Sequence, residues 1–205
     1  MARYRGPSCK LCRTEREKLF LKGDRCYTAK CAITRKRNKP GFHGAAPKKQ
    51  SEYCIRMREK QKTRRAYGLV EKQFSNAFKK ARQKKGVTGL ILLQFMETRL
   101  DNIVYRLGFA ESRKQARQMV RHGHFAVNSK KTNVPSMILR VGDIVSFTEI
   151  SHKKFSEILK KSSERTIASW LKKSGDKSGE LVRMPEREDI DMPVTENMIV
   201  ELYSK

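Results

Sequence analysis

Four of the five cysteines in this 205-residue chain fall within positions 1–31, as two closely spaced pairs. Cys9-Lys10-Leu11-Cys12 is a C-x-x-C knuckle. Thirteen residues separate it from Cys26, and four more separate Cys26 from Cys31. Such short spacings let each pair present two thiolates to one ion while the loop between them closes around it. Four sulfur ligands suit zinc, with an iron–sulfur cluster as the alternative, and they leave no open coordination position, so the site reads as structural. The competing reading is four unpaired thiols. Lys10, Arg13, Lys22, Arg25 and Lys30 surround the pairs and are expected to favour thiolate over thiol. Cys54 has no partner at ligand spacing and reads as an ordinary helix thiol.

Catalytic signatures fail. Gly175–Gly179 contains Lys177-Ser178 but lacks the spacing of a phosphate-binding loop, and neither H-E-x-x-H nor G-x-S-x-G occurs. The histidines are His43, His122, His124 and His152. His122 and His124 flank Gly123 at a helix end, where a cap or an RNA contact is expected. Arg99-Leu100-Asp101 is similar to a tripeptide of pseudouridine synthases, but Asn102–Tyr105 continues a helix, so Asp101 reads as structural.

The second chemistry is cationic. Lys and Arg number 47 against 21 Asp and Glu, a net charge of +26. A field of one sign calls for an anionic partner: nucleic acid first, an anionic membrane surface second. The longest apolar stretch, Leu90–Met96, is far below the roughly 20 residues a spanning helix needs. Arg35, Lys36, Arg37, Lys39, Lys48, Lys49, Arg56, Arg58, Lys60, Lys62, Arg64 and Arg65 form a run opposed locally by Glu52 and Glu59 alone. That run predicts a phosphate-tracking surface rather than a merely solvated face. Arg3, Arg5 and His43 join it as candidates, with Tyr4 and Tyr67 for base or ribose stacking.

Elements must hold these groups. Residues 1–50 are rich in turn formers and carry no helix-length apolar period. Helices are predicted from about Glu52 to Tyr67, from Val70 to Gly86 and from Thr88 to Leu107, the last with a break near Glu97–Asp101. Ser112 with Gln115 has capping-box spacing. It opens a short helix that buries Ala116, Met119 and Val120 and presents Arg113, Lys114, Arg117 and Arg121 on the opposite face. Strands follow at Phe125–Val127 and Ile144–Phe147, with Lys130 and Lys131 after the Asn128-Ser129 turn. Phe155–Lys161 is predicted as a short helix, Trp170 as the anchor of a small core, and Lys173–Gly179 as a flexible loop. Met198, Val200 and Leu202 predict a strand or helix that returns to dock. The expected fold is α+β and mainly helical: a metal-stabilised basic arm (1–50), a helical domain (51–98 with 184–205), and an inserted helix-helix-β-sheet RNA-binding module (99–183, core 99–147).

These blocks resemble a known family. MARYRGPSCKLCR at Met1–Arg13, FLKGDRCYTAKC at Phe20–Cys31 and KPGFHG at Lys39–Gly44 are similar to the bacterial small-subunit ribosomal protein four family. REKQKTRRAYG at Arg58–Gly68, Thr98–His124 and Met184–Lys205 continue the resemblance over essentially the whole chain. The block Arg99–Phe147 alone is shared with tyrosyl-tRNA synthetases, pseudouridine synthases and a heat-shock RNA binder. The resemblance implies a cytoplasmic, non-catalytic component that binds small-subunit rRNA at a multi-helix junction and nucleates assembly. It also implies contact with the fifth small-subunit protein, an interface linked to decoding accuracy, a place along the channel by which mRNA enters, and in some members binding to the operon's own mRNA. Two other classes are an RNA-modifying enzyme carrying the same module and a zinc-stabilised DNA-binding regulator. The sequence departs from the family at Ser129, where the turn usually has Gly, which shifts strain toward Asn128 and unsettles the placement of Lys130 and Lys131. Cys54 replaces a commonly small residue, which suggests packing.

Overall fold

The computed structural model describes residues 3–46, 49–148, 151, 155 and 167–204. They form two compact units, Met1–Leu92 with Met192–Lys205, and Leu93–Asp191. The fold is α+β: helices with one small antiparallel sheet.

In the first unit, α1 spans Ser8–Glu15 and a single 3₁₀ turn spans Gly23–Cys26. A helix in the arm was not legible as an apolar period, because the residue it buries besides Ser8 is a cysteine, Cys12. Helix α2 (Glu52–Ala66) opens at Ser51, whose Oγ accepts from the Cys54 amide at 3.3 Å. Helix α3 (Glu71–Arg82) buries Phe74, Phe78 and Ala81 along one face. Helix α4 (Thr88–Glu97) carries the chain toward the second unit. The terminal helix, here α7 (Glu196–Ser204), buries Ile199 and stacks Tyr203 on Phe78, ring centroids 4.4 Å apart. The alternating set Met198, Val200 and Leu202 is therefore not the docking face; residues four apart on a helix are.

In the second unit, α5 (Leu100–Arg106) packs on α6 (Arg113–Arg121). The predicted break is real. Arg99 is extended, the Leu139 amide donates to the Thr98 carbonyl at 2.9 Å, and the Leu100 amide donates to Met137 at 2.8 Å. Ser112 caps α6 by accepting from the Gln115 amide at 3.3 Å, and Gly123, at φ +73, lets the chain leave it. Strands β1 (Phe125–Val127), β2 (Lys130–Thr132), β3 (Ile144–Phe147), β4 (Leu171–Ser174) and β5 (Ser178–Leu181) run in the order β2-β1-β3-β5-β4. Every pairing is antiparallel, with Phe125 opposite Phe147 and Val145 opposite Gly179. Leu107, Phe109, Val120, Phe125, Leu139 and Trp170 are fully or almost fully buried in one core beneath it.

Three expectations need revision here. Lys173–Gly179 is not a free loop but the β4–β5 hairpin, held because β5 adds to β3. Trp170 belongs to the main core of the module, not to a small separate one. Asn128 and Ser129 both adopt left-handed backbone, φ +48 and +66, so the strain is shared rather than moved onto Asn128. Asn128 is braced: its Nδ2 donates to Asp143 at 2.8 Å and its Oδ1 accepts from the Ile144 amide at 3.0 Å. Of the predicted helix at Phe155–Lys161, Phe155 alone is described, packed edge-on against His124 at 4.9 Å; the rest lies outside the described residues, as does His152.

Candidate nucleic-acid interface and thiol knuckle

Helix α1 carries Cys9 and Cys12, the 3₁₀ turn ends on Cys26, and Cys31 follows one further turn. All four line one cavity of about 20 Å³, with Ser8, Leu21, Lys22, Arg25 and Ala32 around them. The Lys22 amide donates to Cys26 Sγ at 3.4 Å. Burial pushes the Cys12 and Cys26 thiols up despite amide donors at each sulfur. At these two sulfurs lost hydration outweighs the surrounding cations. At Cys31 burial also pushes upward, but hydrogen bonds from Thr34 and Ile33 together outweigh it and the thiol is lowered. Four sulfurs, three of them with amide donors, are a donor set suited to a soft tetrahedral ion. Among the described residues, however, no three His, Cys, Asp or Glu stand close enough to hold one as they are. Cys54 lies half-buried on α2.

Helix α2 does not present its cations freely. Lys60 pairs with Glu71 at 2.6 Å, Arg64 with Glu71 at 3.5 Å, and Arg56 with Glu201 at 2.7 Å. Lys62 holds Glu17 at 3.1 Å and Glu59 at 2.9 Å. Arg58 reaches Glu15 at 3.4 Å, and Arg65 pairs with the same carboxylate. Glu52 and Glu59 were the acids visible nearby in sequence; Glu15, Glu17, Glu71 and Glu201 come from other elements. Tyr67 is 4% exposed, so its ring is not offered for stacking, whereas Tyr4 is exposed. The cations presented to solvent lie elsewhere: Arg3, Arg5, Arg35, Lys36, Arg37 and Lys49 are exposed, as is His43, while Lys39 is half-buried. Lys48 lies outside the described residues.

In the module the four cations of α6 divide. Arg121 is exposed, next to exposed His122, and Lys130 and Lys131 are exposed on β2. Lys114 is half-buried. Arg117 is buried, not on a solvent face: it reaches Asp101 at 3.3 Å, a carboxylate that also takes a two-pronged contact from Arg99 at 3.0 and 2.8 Å. The reason is that residue 117 follows Ala116 and precedes Met119, at the edge of the apolar stripe, where a guanidinium needs a buried acid. His124 is half-buried and shares a hydrogen bond with Ser151 Oγ at 2.9 Å. Arg113 donates from Nε to Asn102 Oδ1 at 2.7 Å and lies over the Tyr105 ring, 4.7 Å from its centroid. Asn102 in turn donates to the fully buried Glu97 at 2.6 Å. In sequence Glu97, Asn102 and Tyr105 read as helix residues and their hold on Arg113 was missed, although polar residues on the otherwise apolar stripe Leu92–Leu107 were a readable signal.

A basic α+β chain with a cysteine-rich arm and a helix-helix-sheet module defines a class of nucleic-acid-binding protein. Comparison narrows it. Residues 3–97 match the ribosomal protein S4/S9 N-terminal domain and residues 98–145 match the S4 domain. The small ribosomal subunit protein uS4 of Acetivibrio thermocellus is 53% identical over 208 residues, covering 100% of both chains. The proteins of the same name from Desulforamulus reducens and Citrifermentans bemidjiense are 52% and 54% identical, again over 100% of each. The chain belongs to the bacterial small-subunit ribosomal protein S4 family.

Proposed function

We propose that this chain is a structural, non-catalytic component of the small ribosomal subunit, binding small-subunit rRNA in the cytoplasm. The observation that carries the reading is full-length identity above one half to relatives of that name, joined to cations exposed on the arm, on α6 and on β2. Lysines and arginines at those places release counterions from phosphates, with a slope of log affinity against log salt of about −0.9 per phosphate in the duplex-DNA case. Selectivity comes from RNA shape, since side chains do not read an A-form major groove. On this reading the chain binds early, at a multi-helix junction, and nucleates assembly of the body of the subunit. It meets the fifth small-subunit protein at an interface that bears on decoding accuracy, lies along the channel by which mRNA enters, and binds its own operon mRNA. The test is co-sedimentation with small subunits through a salt wash, followed by footprinting on naked small-subunit rRNA. Protection of one junction is expected; diffuse protection by a chain that washes off would refute the reading.

The four thiols are read as holding one structural zinc through Cys9, Cys12, Cys26 and Cys31. An iron–sulfur cluster is the alternative for the same donors. What supports this is the shared cavity and the amide donors at the sulfurs. The bound ion would cross-link α1 to the turn at Gly23–Cys31 and stiffen an arm with little core of its own. Elemental analysis of the purified chain should give one zinc per molecule without visible absorption. A metal-free chain with four titratable thiols and unchanged proteolytic resistance would rule it out.

A further inference from the structure

Phe42 is 98% exposed. Tyr27 and Tyr53, the next most exposed aromatic side chains, each have a hydroxyl to offer water; Phe42 has nothing polar. A single exposed apolar residue is ordinary by itself. Its setting is not. The chain turns sharply at Gly41, φ +109, and the Gly44 amide donates back to the Gly41 carbonyl at 3.1 Å. A second turn closes from the Ala46 amide to His43 at 3.3 Å. At Gly44 an added Cβ would stand 2.0 Å from the Lys39 carbonyl oxygen, so the loop closes on itself more tightly than any other residue allows. Phe42 and His43 project from this closed loop with their rings edge to face, centroids 5.0 Å apart at 90°. Around them in the chain lie exposed Arg35, Lys36, Arg37 and Lys49, and half-buried Lys39.

We propose that Phe42 is a stacking platform for an unpaired nucleobase of structured RNA, with His43 beside its edge and the neighbouring cations on the flanking phosphates. The proposal rests on the rRNA-binding reading and adds a contact to it. Unstacked bases at loops and bulges are the parts of folded RNA that aromatic side chains engage, and every base has a π-face to offer. A turn closed by the Gly44–Gly41 and Ala46–His43 hydrogen bonds lowers the cost of ordering the ring at binding. The cationic surroundings favour a polyanion over the apolar groove that a protein partner would need to supply.

Because the ring is exposed, its replacement leaves the fold alone. Phe42→Leu keeps apolar bulk and removes the π-face. Titrated with a small-subunit rRNA transcript at fixed salt, it should bind roughly 10- to 100-fold more weakly than wild type. Its salt slope should be unchanged, since no charge is removed. Phe42→Trp should retain affinity, and the introduced indole should be quenched and shielded from acrylamide when RNA binds; Trp170, at 0% exposure, supplies a constant background. Wild-type affinity in Phe42→Leu, or an indole still open to acrylamide in the complex, would overturn the proposal and leave the ring to a protein contact. Failure of the wild-type chain itself to bind the transcript would instead bring down the rRNA reading, and the proposal with it.

Discussion

The two units carry positive charge in different ways. In Leu93–Asp191 a continuous core of Leu100, Ile103, Leu107, Phe109, Phe125, Phe147 and Trp170 fixes the fold, and Arg121, Lys130 and Lys131 sit on its rim. In the other unit the arm's cluster is small, Cys12, Leu19, Leu21 and Ala66, and the cations of α2 are tied to acids from four other places in the chain. Turn and strand-edge positions leave cations free for a ligand, whereas cations on packed helices join elements; in the module too, Arg99 and Arg117 are held by buried Asp101. Counting Lys and Arg along a sequence therefore overstates an RNA footprint wherever helices pack beside acids of other elements.

The largest effect that follows is in the module. Phe109→Ala removes a fully buried ring that touches Phe125 and Phe147. It should cost about 3–5 kcal/mol in urea unfolding. In the other unit no single apolar truncation within the arm's cluster should approach that. If Leu19→Ala cost as much as Phe109→Ala, the contrast between the module's core and the arm's small cluster would be wrong.

In the first unit, pH dependence distinguishes two kinds of pair. Burial raises Glu71, but hydrogen bonding and charge from Lys60, with Arg64 behind it, outweigh burial and leave the carboxyl lowered. Its folded value lies below its unfolded one, so it stabilises above the ordinary carboxylate range and that contribution fades as pH falls through the folded value. Glu71→Gln, which leaves Lys60 buried without its acid, should cost about 1–3 kcal/mol at pH 7 and less at pH 3. Glu15 is the reverse. Its side chain is 1% exposed, and burial raises it in spite of Arg65 and Arg58. Its contribution is complete below the ordinary carboxylate value and is lost as pH rises through the folded one, so Glu15→Gln should fall further behind wild type as pH is lowered from 7 to 4. Unfolding curves across that range should show the two deficits moving in opposite directions; parallel behaviour would mean that Glu15 is an ordinary favourable pair.

Much of this fold was legible in the chain because the signals were local. The stripe Phe74, Phe78 and Ala81, the cap at Ser112, and the break after Glu97 all arise within one or two turns. The β4–β5 hairpin was hidden because Lys173–Gly179 has no alternation of its own and is a sheet only through pairing with β3. The same logic governs the site. That Arg121, Lys130 and Lys131 are exposed could be read from helix periodicity and turn position. That Arg117 is buried on Asp101, or that Arg65 answers Glu15 fifty positions away, depends on tertiary neighbours that a one-dimensional count of nearby acids never sees.

Within the module, the chain Glu97–Asn102–Arg113 predicts a smaller effect. Asn102→Ala keeps the Glu97 contact to Arg106 at 2.8 Å but removes the acceptor that orients Arg113. A loss of about 1–2 kcal/mol in stability is expected. If Asn102 acts on RNA through Arg113, the affinity losses of Asn102→Ala and Arg113→Gln measured on an rRNA fragment should be markedly non-additive. Additive losses would make Asn102 a fold residue alone.

The smallest effect is a gain, and it sits where the module's own packing leaves a local cost. Ser129 is held at φ +66 at the second central position of the β1–β2 turn, a region that disfavours a side chain with Cβ. Asn128, at φ +48, has compensation from Asp143 and the Ile144 amide; among the described residues, no hydrogen bond from the Ser129 side chain offsets its own strain. Ser129→Gly should therefore raise the stability of the module by roughly 0.5–1 kcal/mol, after the larger entropy glycine loses on folding is set against the relieved backbone. The strands on either side are already in register, Val127 opposite Lys130, so Lys130 and Lys131 should keep their positions and RNA affinity should stay within about twofold of wild type. A destabilised Ser129→Gly chain would mean that the hairpin's register depends on the serine. A stabilised chain with altered RNA affinity would mean that the turn's strain, rather than the core beneath it, sets where the rim cations stand.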